Sequence, residues 1–258
     1  MINFLSKTFG ALGEYITLIV RTIVVTIRRP PQWHLISHHL YNIGVLSLPV
    51  VAITGFSTGS VLAVQSFFQL ADKGLSGATG LMVTKAMMVE LGPILTAFMV
   101  TGRVGSAMCA EIGSMKVTEQ IDAMRSMAVN PLRHLISPRF IAGMVMMPLL
   151  SVFSCIMGVL GGFVISVYHF GMSPENFMDP LPIHIIPFDF ISGLIKAFIF
   201  GVFIVTISCY KGFTTSGGAA GVGKSTTNSV VICYTVILIS NFVMTLALNM
   251  FYDAVLRV

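Results

Sequence analysis

The fold is decided by residues 102–139, which read GRVGSAMCAEIGSMKVTEQIDAMRSMAVNPLRHLISPR. This segment holds eight of the chain's 25 charged residues, although the chain as a whole is 55% hydrophobic. Long apolar runs flank it on both sides. A polar segment between such runs is typical of a membrane protein at the place where it meets a soluble partner.

The composition of the whole chain predicts a membrane protein. Soluble domains average about 25% charged residues, whereas this chain has 10% and could not cover a globule with polar surface. Several apolar runs exceed the roughly 18 residues that mark a candidate span. We therefore predict an all-α integral membrane protein that forms a single domain over residues 1–258.

The apolar runs predict five transmembrane helices and one interfacial helix. The interfacial helix covers residues 1–30, because Lys7, Glu14, Arg21 and Arg28 recur every seven residues and line one narrow stripe of an apolar helix. A poor transmembrane helix is the alternative for this segment. The five spans cover about residues 43–70, 80–103, 140–168, 190–210 and 226–252, with Arg103 closing the second.

The distribution of basic residues predicts the orientation. With a cytoplasmic N-terminus, 11 of the 15 Lys and Arg residues fall on the cytoplasmic side, among them Arg29, while Lys73 and Arg257 fall outside. We therefore predict N-terminus in and C-terminus out. The outer loop 171–189 has four prolines and no Lys or Arg, so we expect it to be irregular and stiff.

Two sequence patterns concern helix contacts and turns. Gly55 and Gly59 have the GxxxG spacing that lets helices approach closely in lipid, which predicts a packing role. Residues 218–225, GAAGVGKS, match the phosphate-loop pattern letter for letter. The flanking runs are long enough to span a bilayer, so we interpret this segment as a tight cytoplasmic turn, with Thr226 and Thr227 capping the fifth span.

Two charges lie deep within the predicted spans. Glu90 precedes Arg103 by 13 residues, and Lys196 precedes Lys211 by 15, which places them about 20 Å and 22 Å from the cytoplasmic edge. Opposite charges at equal depth suggest that Glu90 and Lys196 interact or jointly contact a polar headgroup. A pair that only orders helix packing is equally consistent with the spacing.

The polar segment itself predicts a short amphipathic helix over residues 119–129. Thr118 is a suitable N-cap, and Glu119 and Asp122 suit the positive end of the helix dipole. An apolar strip is formed by Ile121, Met124 and Met127–Ala128. Such a helix can seat in a groove of a soluble partner, and an ordinary solvated helix is the alternative.

No catalytic, cofactor-binding or metal-binding set is visible in the sequence. Paired carboxylates on one polar face are absent, and the histidines near the first span, His34, His38 and His39, have no counterpart inside the other spans. We therefore predict a protein that is not an enzyme and carries no cofactor.

Several motifs resemble the MlaE-type permeases of ABC phospholipid transporters, the Mla systems that work with MCE proteins. The resemblance covers about residues 40–252. It is carried by Glu90–Pro93, Gly102–Ala107, Ala110–Gly113, Met115, Glu119–Ala123, Met127, Pro131, Pro138–Arg139, Gly161–Gly162 and the turn Gly217–Thr227 followed by Val230–Val231.

The resemblance implies a permease subunit without ATP hydrolysis of its own, in the inner membrane of a Gram-negative cell. It implies a homodimer, a cytoplasmic ABC ATPase docked on a coupling segment within 104–139, a periplasmic MCE-domain protein and a STAS-domain protein, with phospholipid as cargo and no nucleic acid. The expected coupling residues are Glu111, Gly113, Met115, Glu119, Gln120, Asp122 and Arg125. The expected lipid path includes Leu62, Gln65 and Leu70.

Two other functions remain open from the residues alone. A secondary transporter or channel that acts without an ATPase predicts several intramembrane charges and inverted repeats. A membrane anchor for a complex predicts that Glu90 and Lys196 can be replaced without effect.

Overall fold

The computed structural model describes residues 2–28, 30–72 and 74–255. Within these ranges every regular element is a helix and none is a strand. The α-helices are α1 (Ile2–Arg28), α2 (Trp33–Ile43), α3 (Leu48–Ala71), α4 (Thr79–Ala86), α5 (Gly92–Val100), α6 (Ser106–Val117), α7 (Gln120–Ser126), α8 (Ser137–Val164), α9 (Pro174–Met178), α10 (Pro180–His184), α11 (Pro187–Phe213) and α12 (Gly218–Val255). Four π-helical turns lie at Met87–Leu91, Thr101–Gly105, Leu132–Ile136 and Ile165–His169.

Five continuous helical stretches among the described residues are long and apolar enough to cross a bilayer. They have 27 to 42 residues, more than the roughly 20 that a bilayer requires. The all-α fold with five candidate spans is thereby confirmed. The stretches are Trp33–Ala71, Ser76–Val117, Leu132–His169, Pro187–Phe213 and Gly218–Ala254.

The N-terminal segment forms the helix α1, which ends at Arg28 ahead of Pro30 and Pro31. It leaves Ile16, Val20 and Ile27 exposed. An apolar exposed face on a helix that also bears arginines favours a position at the membrane surface. The interfacial placement and the orientation stay predictions, and Arg29, Lys73 and Arg257, which entered the charge count, lie outside the described residues.

The chain divides into two compact units. The first unit comprises the described parts of residues 1–43, 101–144 and 202–236. Its core contains Met108 and Ile112 of α6, Ile121 of α7 and Ile204 of α11, all buried. Tyr15 of α1 forms a 2.7 Å hydrogen bond with Thr206 of α11, which fixes α1 to this core.

The second unit comprises the described parts of residues 44–100, 145–201 and 237–258. Its α3 and α8 touch through their backbones. A Cβ atom added at Gly59 would lie 1.8 Å from the Gly158 carbonyl oxygen, and one at Gly55 would lie 2.8 Å from the Ser154 carbonyl oxygen. The GxxxG pair therefore lies in a helix contact, and its partner is α8 of the same chain.

The phosphate-loop letters at 218–225 lie within a helix, so our interpretation of this segment as a tight turn was wrong. The reversal between α11 and α12 is made at Gly217 and Gly218, whose φ angles of 91° and 67° suit glycine. Thr226 and Thr227 do not cap the fifth span, because they donate to the Val222 and Gly223 carbonyls one turn back.

The loop 171–189 contains the short helices α9 and α10, so our expectation of an irregular loop was also wrong. Prolines begin both helices, where the missing amide hydrogen costs nothing. The Ser173 side chain accepts a 3.3 Å hydrogen bond from the Asn176 amide and caps α9.

We predict that Gly59→Ala lowers the stability of the detergent-solubilised protein by about 1–3 kcal/mol, because the added methyl group overpacks a backbone contact. The matched control is Gly223→Ala in α12, where no atom lies within 4 Å of the new Cβ and helix propensity should gain about 1 kcal/mol. Thermal unfolding followed by fluorescence measures both. Equal melting temperatures for Gly59→Ala and the parent protein would show that α3 and α8 do not touch here.

Candidate functional site

The candidate site of the second unit begins with a break in regular helix at Glu90. Glu90 lies in the π-helical turn Met87–Leu91, three residues before Pro93. In this turn the Gly92 amide donates to the Met87 carbonyl, five residues back instead of the four of an α-helix. The Val89 carbonyl accepts a 3.1 Å hydrogen bond from Lys196 Nζ. The backbone of the turn therefore supplies one acceptor for the lysine.

Lys196 of α11 uses all three of its hydrogens. Besides the Val89 carbonyl, its Nζ contacts Glu90 Oε1 at 2.5 Å and Thr245 Oγ1 at 2.8 Å. An ammonium group has three donors, so this buried charge, whose side chain is 1% exposed, is fully satisfied. The structure therefore brings together the two deep charges that the sequence placed at equal depth.

Two polar residues of α12 complete the cluster, and the sequence analysis missed both. Asn241 Nδ2 donates to Glu90 Oε2 at 2.9 Å, and Thr245 Oγ1 lies 2.8 Å from Glu90 Oε1. Their spacing of four residues puts them on one helix face. The sequence did hold a signal for this site, because Asn241 and Thr245 are polar, lie four residues apart and belong to an apolar run without charges. We refer to Glu90, Lys196, Asn241 and Thr245 as the polar cluster.

Close approach of α11 to the Glu90 turn depends on Gly193, one turn before Lys196. A Cβ atom at Gly193 would lie 2.2 Å from the Met88 carbonyl oxygen. Any larger residue would push the helix away and lengthen the bonds of Lys196. The sequence analysis missed Gly193, because one glycine in an apolar span has no local signature.

A cavity of about 560 Å³ adjoins the polar cluster. The Glu90 side chain is 32% exposed and lies on its wall, together with Val89 and Ile186. At the same wall, Lys85 forms a 3.3 Å ion pair with Asp189. An ionised carboxylate is an acceptor only, so the Glu90 side of the cluster can accept a hydrogen bond from a polar molecule in the cavity.

The proposed lipid-path residues lie apart from this cavity wall. Leu62 packs beside the buried cluster of Ala63, Val83 and Met87, and Leu70 is half-buried. Gln65 is exposed. None of the three lines the cavity beside Glu90, so their role stays a prediction.

The polar segment of the first unit differs from the sequence prediction. The helix that carries the second span continues beyond Arg103 to Val117. The membrane edge that we expect at Arg103 stays a prediction. Thr118 is not the N-cap of the next helix, because its hydroxyl donates to the Ser114 carbonyl at 2.8 Å and closes α6. The helix α7 is shorter than predicted, Gln120–Ser126, and its N-cap is Glu119 in a left-handed conformation with φ 59°.

Asp122 holds α7 against the end of α6. Its carboxylate contacts Lys116 Nζ at 2.8 Å and Arg125 Nη1 at 3.0 Å. The hydrogen bond from Lys116 lowers the pKa of the Asp122 carboxyl below its usual value, and the charges of Lys116 and Arg125 act in the same direction. The contacts are therefore formed at neutral pH and are lost as the pH falls through this lowered pKa.

The other predicted coupling residues divide into exposed and internal ones. Glu119 and Gln120 are exposed, Met115 is half-buried, and Gly113 is buried against Thr215. Glu111 forms a 2.8 Å ion pair with Arg139, which is 2% exposed.

The predicted apolar strip of α7 is split in the same way. Ile121 is buried in the protein's own core, whereas Met127 is 68% exposed just after the helix. The surface that α7 leaves open is therefore small and partly polar.

Among the described residues, no group of three or more His, Cys, Asp and Glu side chains is placed to hold a metal.

Comparison with known proteins identifies the family. The model of the Permease MlaE family matches residues 36–247. The chain belongs to the MlaE permease family.

Three relatives show how widely this permease family extends. A probable ABC transporter permease protein of Rickettsia bellii is 39% identical over 91% of this chain and 91% of its own length. The intermembrane phospholipid transport system permease protein MlaE of Haemophilus influenzae is 32% identical over 95% of this chain and 97% of its own. The chloroplastic protein trigalactosyldiacylglycerol 1 of Arabidopsis thaliana is 34% identical over 90% and 67%.

For this MlaE-family permease we predict strong coupling between Glu90 and Lys196 in stability. Glu90→Leu leaves a buried ammonium without its counter-ion and should cost about 3–5 kcal/mol. The double variant Glu90→Leu/Lys196→Met replaces the pair by apolar groups and should recover most of that loss. Thermal unfolding in detergent measures the stability of the parent protein, the single variants and the double variant, which together form a double-mutant cycle. Additive losses in the double variant would show that the two side chains do not interact.

The matched control for this cycle is Lys85→Met. Lys85 also has a carboxylate partner, Asp189, but its side chain is 48% exposed. An exposed ion pair contributes at most about 1 kcal/mol, so this variant should melt within a few degrees of the parent protein.

Proposed function

We propose that the chain is the membrane subunit of an ABC transporter that moves phospholipids between the inner and outer membranes and so maintains outer-membrane lipid asymmetry. The observation that supports this most is the polar cluster, which adjoins a cavity of about 560 Å³ among apolar helices. Relatives named as ABC transporter permeases and as an intermembrane phospholipid permease support the same function.

In this proposal the cluster acts on the lipid headgroup. Lys196 has no free donor, so its part is to hold the Glu90 carboxylate ionised and in place. Glu90, partly exposed at the cavity wall, accepts hydrogen bonds from headgroup hydroxyl or ammonium groups. The acyl chains lie against apolar side chains near the cluster, of which Val89, Ile186 and Phe188 line the cavity.

A separate ABC ATPase supplies the energy and docks on the coupling segment in this proposal. Glu119 and Ala128, at the two ends of α7, have φ angles of 59° and 60°. Non-glycine residues in this conformation cost about 1–3 kcal/mol and cluster at functional sites. The exposed Glu119, Gln120 and Met127 beside them are the docking residues that we propose.

The remaining partners follow from the same proposal. A second copy of the chain packs on α12, whose apolar residues Phe242, Leu246 and Met250 are exposed. An MCE-domain protein binds on the periplasmic side and a STAS-domain protein on the ATPase, with the N-terminus in the cytoplasm and the chain in the inner membrane. A secondary transporter that acts alone would need neither the ATPase nor these partners.

We predict that the Glu90→Leu/Lys196→Met variant assembles but fails to transport. A hydrogen bond to a charged group contributes about 1.5–3 kcal/mol, so ATP-dependent transfer of radiolabelled phospholipid should fall about tenfold or more. The measurement uses the complex purified by a tag on this chain and reconstituted in proteoliposomes. Lys224→Gln, exposed at the start of α12, is the control. Unchanged transfer by the double variant would contradict the role of the cluster.

We also predict that Glu119→Lys reduces co-purification of the ATPase in mild detergent at least about fivefold, because it reverses a charge at the proposed docking surface. This residue is a sharper probe than Asp122, which is engaged by Lys116 and Arg125. Glu175→Lys in α9 is the charge-matched control. If Glu119→Lys retains normal ATPase binding and ATP hydrolysis, α7 is not the docking site. If the parent chain purifies without an ATPase, the secondary transporter is supported.

A further inference from the structure

A groove in the first unit runs along α1. Its first part has a volume of about 910 Å³ and lies between α1, residues 130–132 and the end of α11. Its second part, about 570 Å³, continues towards α2 and shares Val24, Val25 and Asn130 with the first. We refer to the two parts together as the α1 groove.

Four arginines line the α1 groove, two from each side. Arg21 and Arg28 belong to α1, while Arg125 and Arg133 lie on the opposite wall. Glu14 is the one carboxylate among the described residues of the lining, and it accepts a 3.3 Å hydrogen bond from the Tyr210 hydroxyl. The groove therefore has a strong excess of positive charge.

Most of this charge is not neutralised within the described part of the chain. Arg133 donates only to the neutral Pro30 carbonyl, at 3.4 Å. Arg21 and Arg28 form no ion pair with a described residue, and both are exposed. Arg125 shares the Asp122 carboxylate with Lys116. The planar fork of donors on a guanidinium group matches the geometry of a phosphate, so these arginines suit a phosphate ligand.

The wall between the arginines is apolar. Val20, Val24 and Val25 of α1 line the groove, and Leu35 extends the apolar surface into its second part. The neighbouring Ile16 and Ile27 are exposed large apolar residues of the same helix. A ligand that suits this surface has a phosphate and a hydrocarbon chain, and a lipid of the adjacent membrane has both.

We propose that the α1 groove binds an anionic phospholipid, with its phosphate held by the arginines and an acyl chain along the valines. Basic pockets on the cytoplasmic side of membrane proteins bind such headgroups. The bound lipid bridges α1 and the wall that carries Arg125, and so it stabilises the segment around α7. This lipid is a resident ligand, so the inference does not depend on the transport proposal.

Native mass spectrometry of the full-length chain in detergent tests the inference, with phosphatidylglycerol and phosphatidylcholine of equal chain length as probes. The parent protein should retain phosphatidylglycerol preferentially. Each arginine removed should weaken that binding about fivefold, so Arg21→Gln should do so measurably and Arg21→Gln/Arg28→Gln/Arg133→Gln should abolish the preference. Lys224→Gln, which removes one charge outside the groove lining, should leave the preference intact.

Four outcomes would overturn the inference. An unchanged preference in a triple variant that stays monodisperse and helical would exclude the groove as the site. If that variant fails to fold, an unchanged preference in Arg21→Gln would exclude it equally. Competition by inorganic phosphate at millimolar concentration would indicate an anion site without lipid selectivity. Loss of the bound lipid whenever the ATPase co-purifies would indicate that the groove is a protein docking surface.

Discussion

The structure of the second unit depends on one buried ammonium group. Lys196 is surrounded by α11, α12 and the Glu90 turn, and it is stable there only because three acceptors meet its three hydrogens. A buried charge without such partners costs several kcal/mol. The three acceptors are the Glu90 carboxylate, the Thr245 hydroxyl and the backbone carbonyl of Val89 in the π-helical turn. The same contacts leave the Glu90 carboxylate at a cavity wall, so the interaction that orders the helices also prepares a polar surface within an apolar region.

Small residues make this arrangement possible. Gly193 allows α11 to approach the Met88 carbonyl, and Gly59 allows α3 to touch α8 through their backbones. Helices in lipid gain little from the hydrophobic effect, so their association depends on close packing and hydrogen bonds. In α11 both act within one helical turn, since Gly193 provides the close packing and Lys196 the hydrogen bonds. The first unit also uses glycines in this way, because Ile112 faces Gly212 and Ile204 faces Gly105 on the neighbouring helix. Asp122 fixes α7 to the end of α6.

The sequence was sufficient for the five candidate spans, the GxxxG contact and the pairing of Glu90 with Lys196, because these follow from length, composition and the rise of a helix. The sequence was insufficient where the backbone conformation of one or two residues decides where a helix begins. The left-handed Glu119 moved the start of α7 past Thr118, and the glycines at 217 and 218 moved the turn ahead of the phosphate-loop letters. Asn241 and Thr245 were missed because they carry no charge, and Gly193 was missed because its importance depends on a helix far away in sequence. The arginine-lined groove could be recognised only from the structure, because its two walls come from segments that are distant in sequence.

The polar cluster connects family membership with a physical mechanism. This member of the MlaE permease family has long apolar helices, among which a carboxylate held by a lysine lies at a cavity wall. The most direct test is an electron cryomicroscopy structure of the purified complex loaded with phospholipid. Our mechanism predicts headgroup density within hydrogen-bonding distance of the Glu90 carboxylate, with Lys196 still bound to it. A headgroup resolved elsewhere in the complex, with the cavity beside Glu90 filled by side chains, would contradict it.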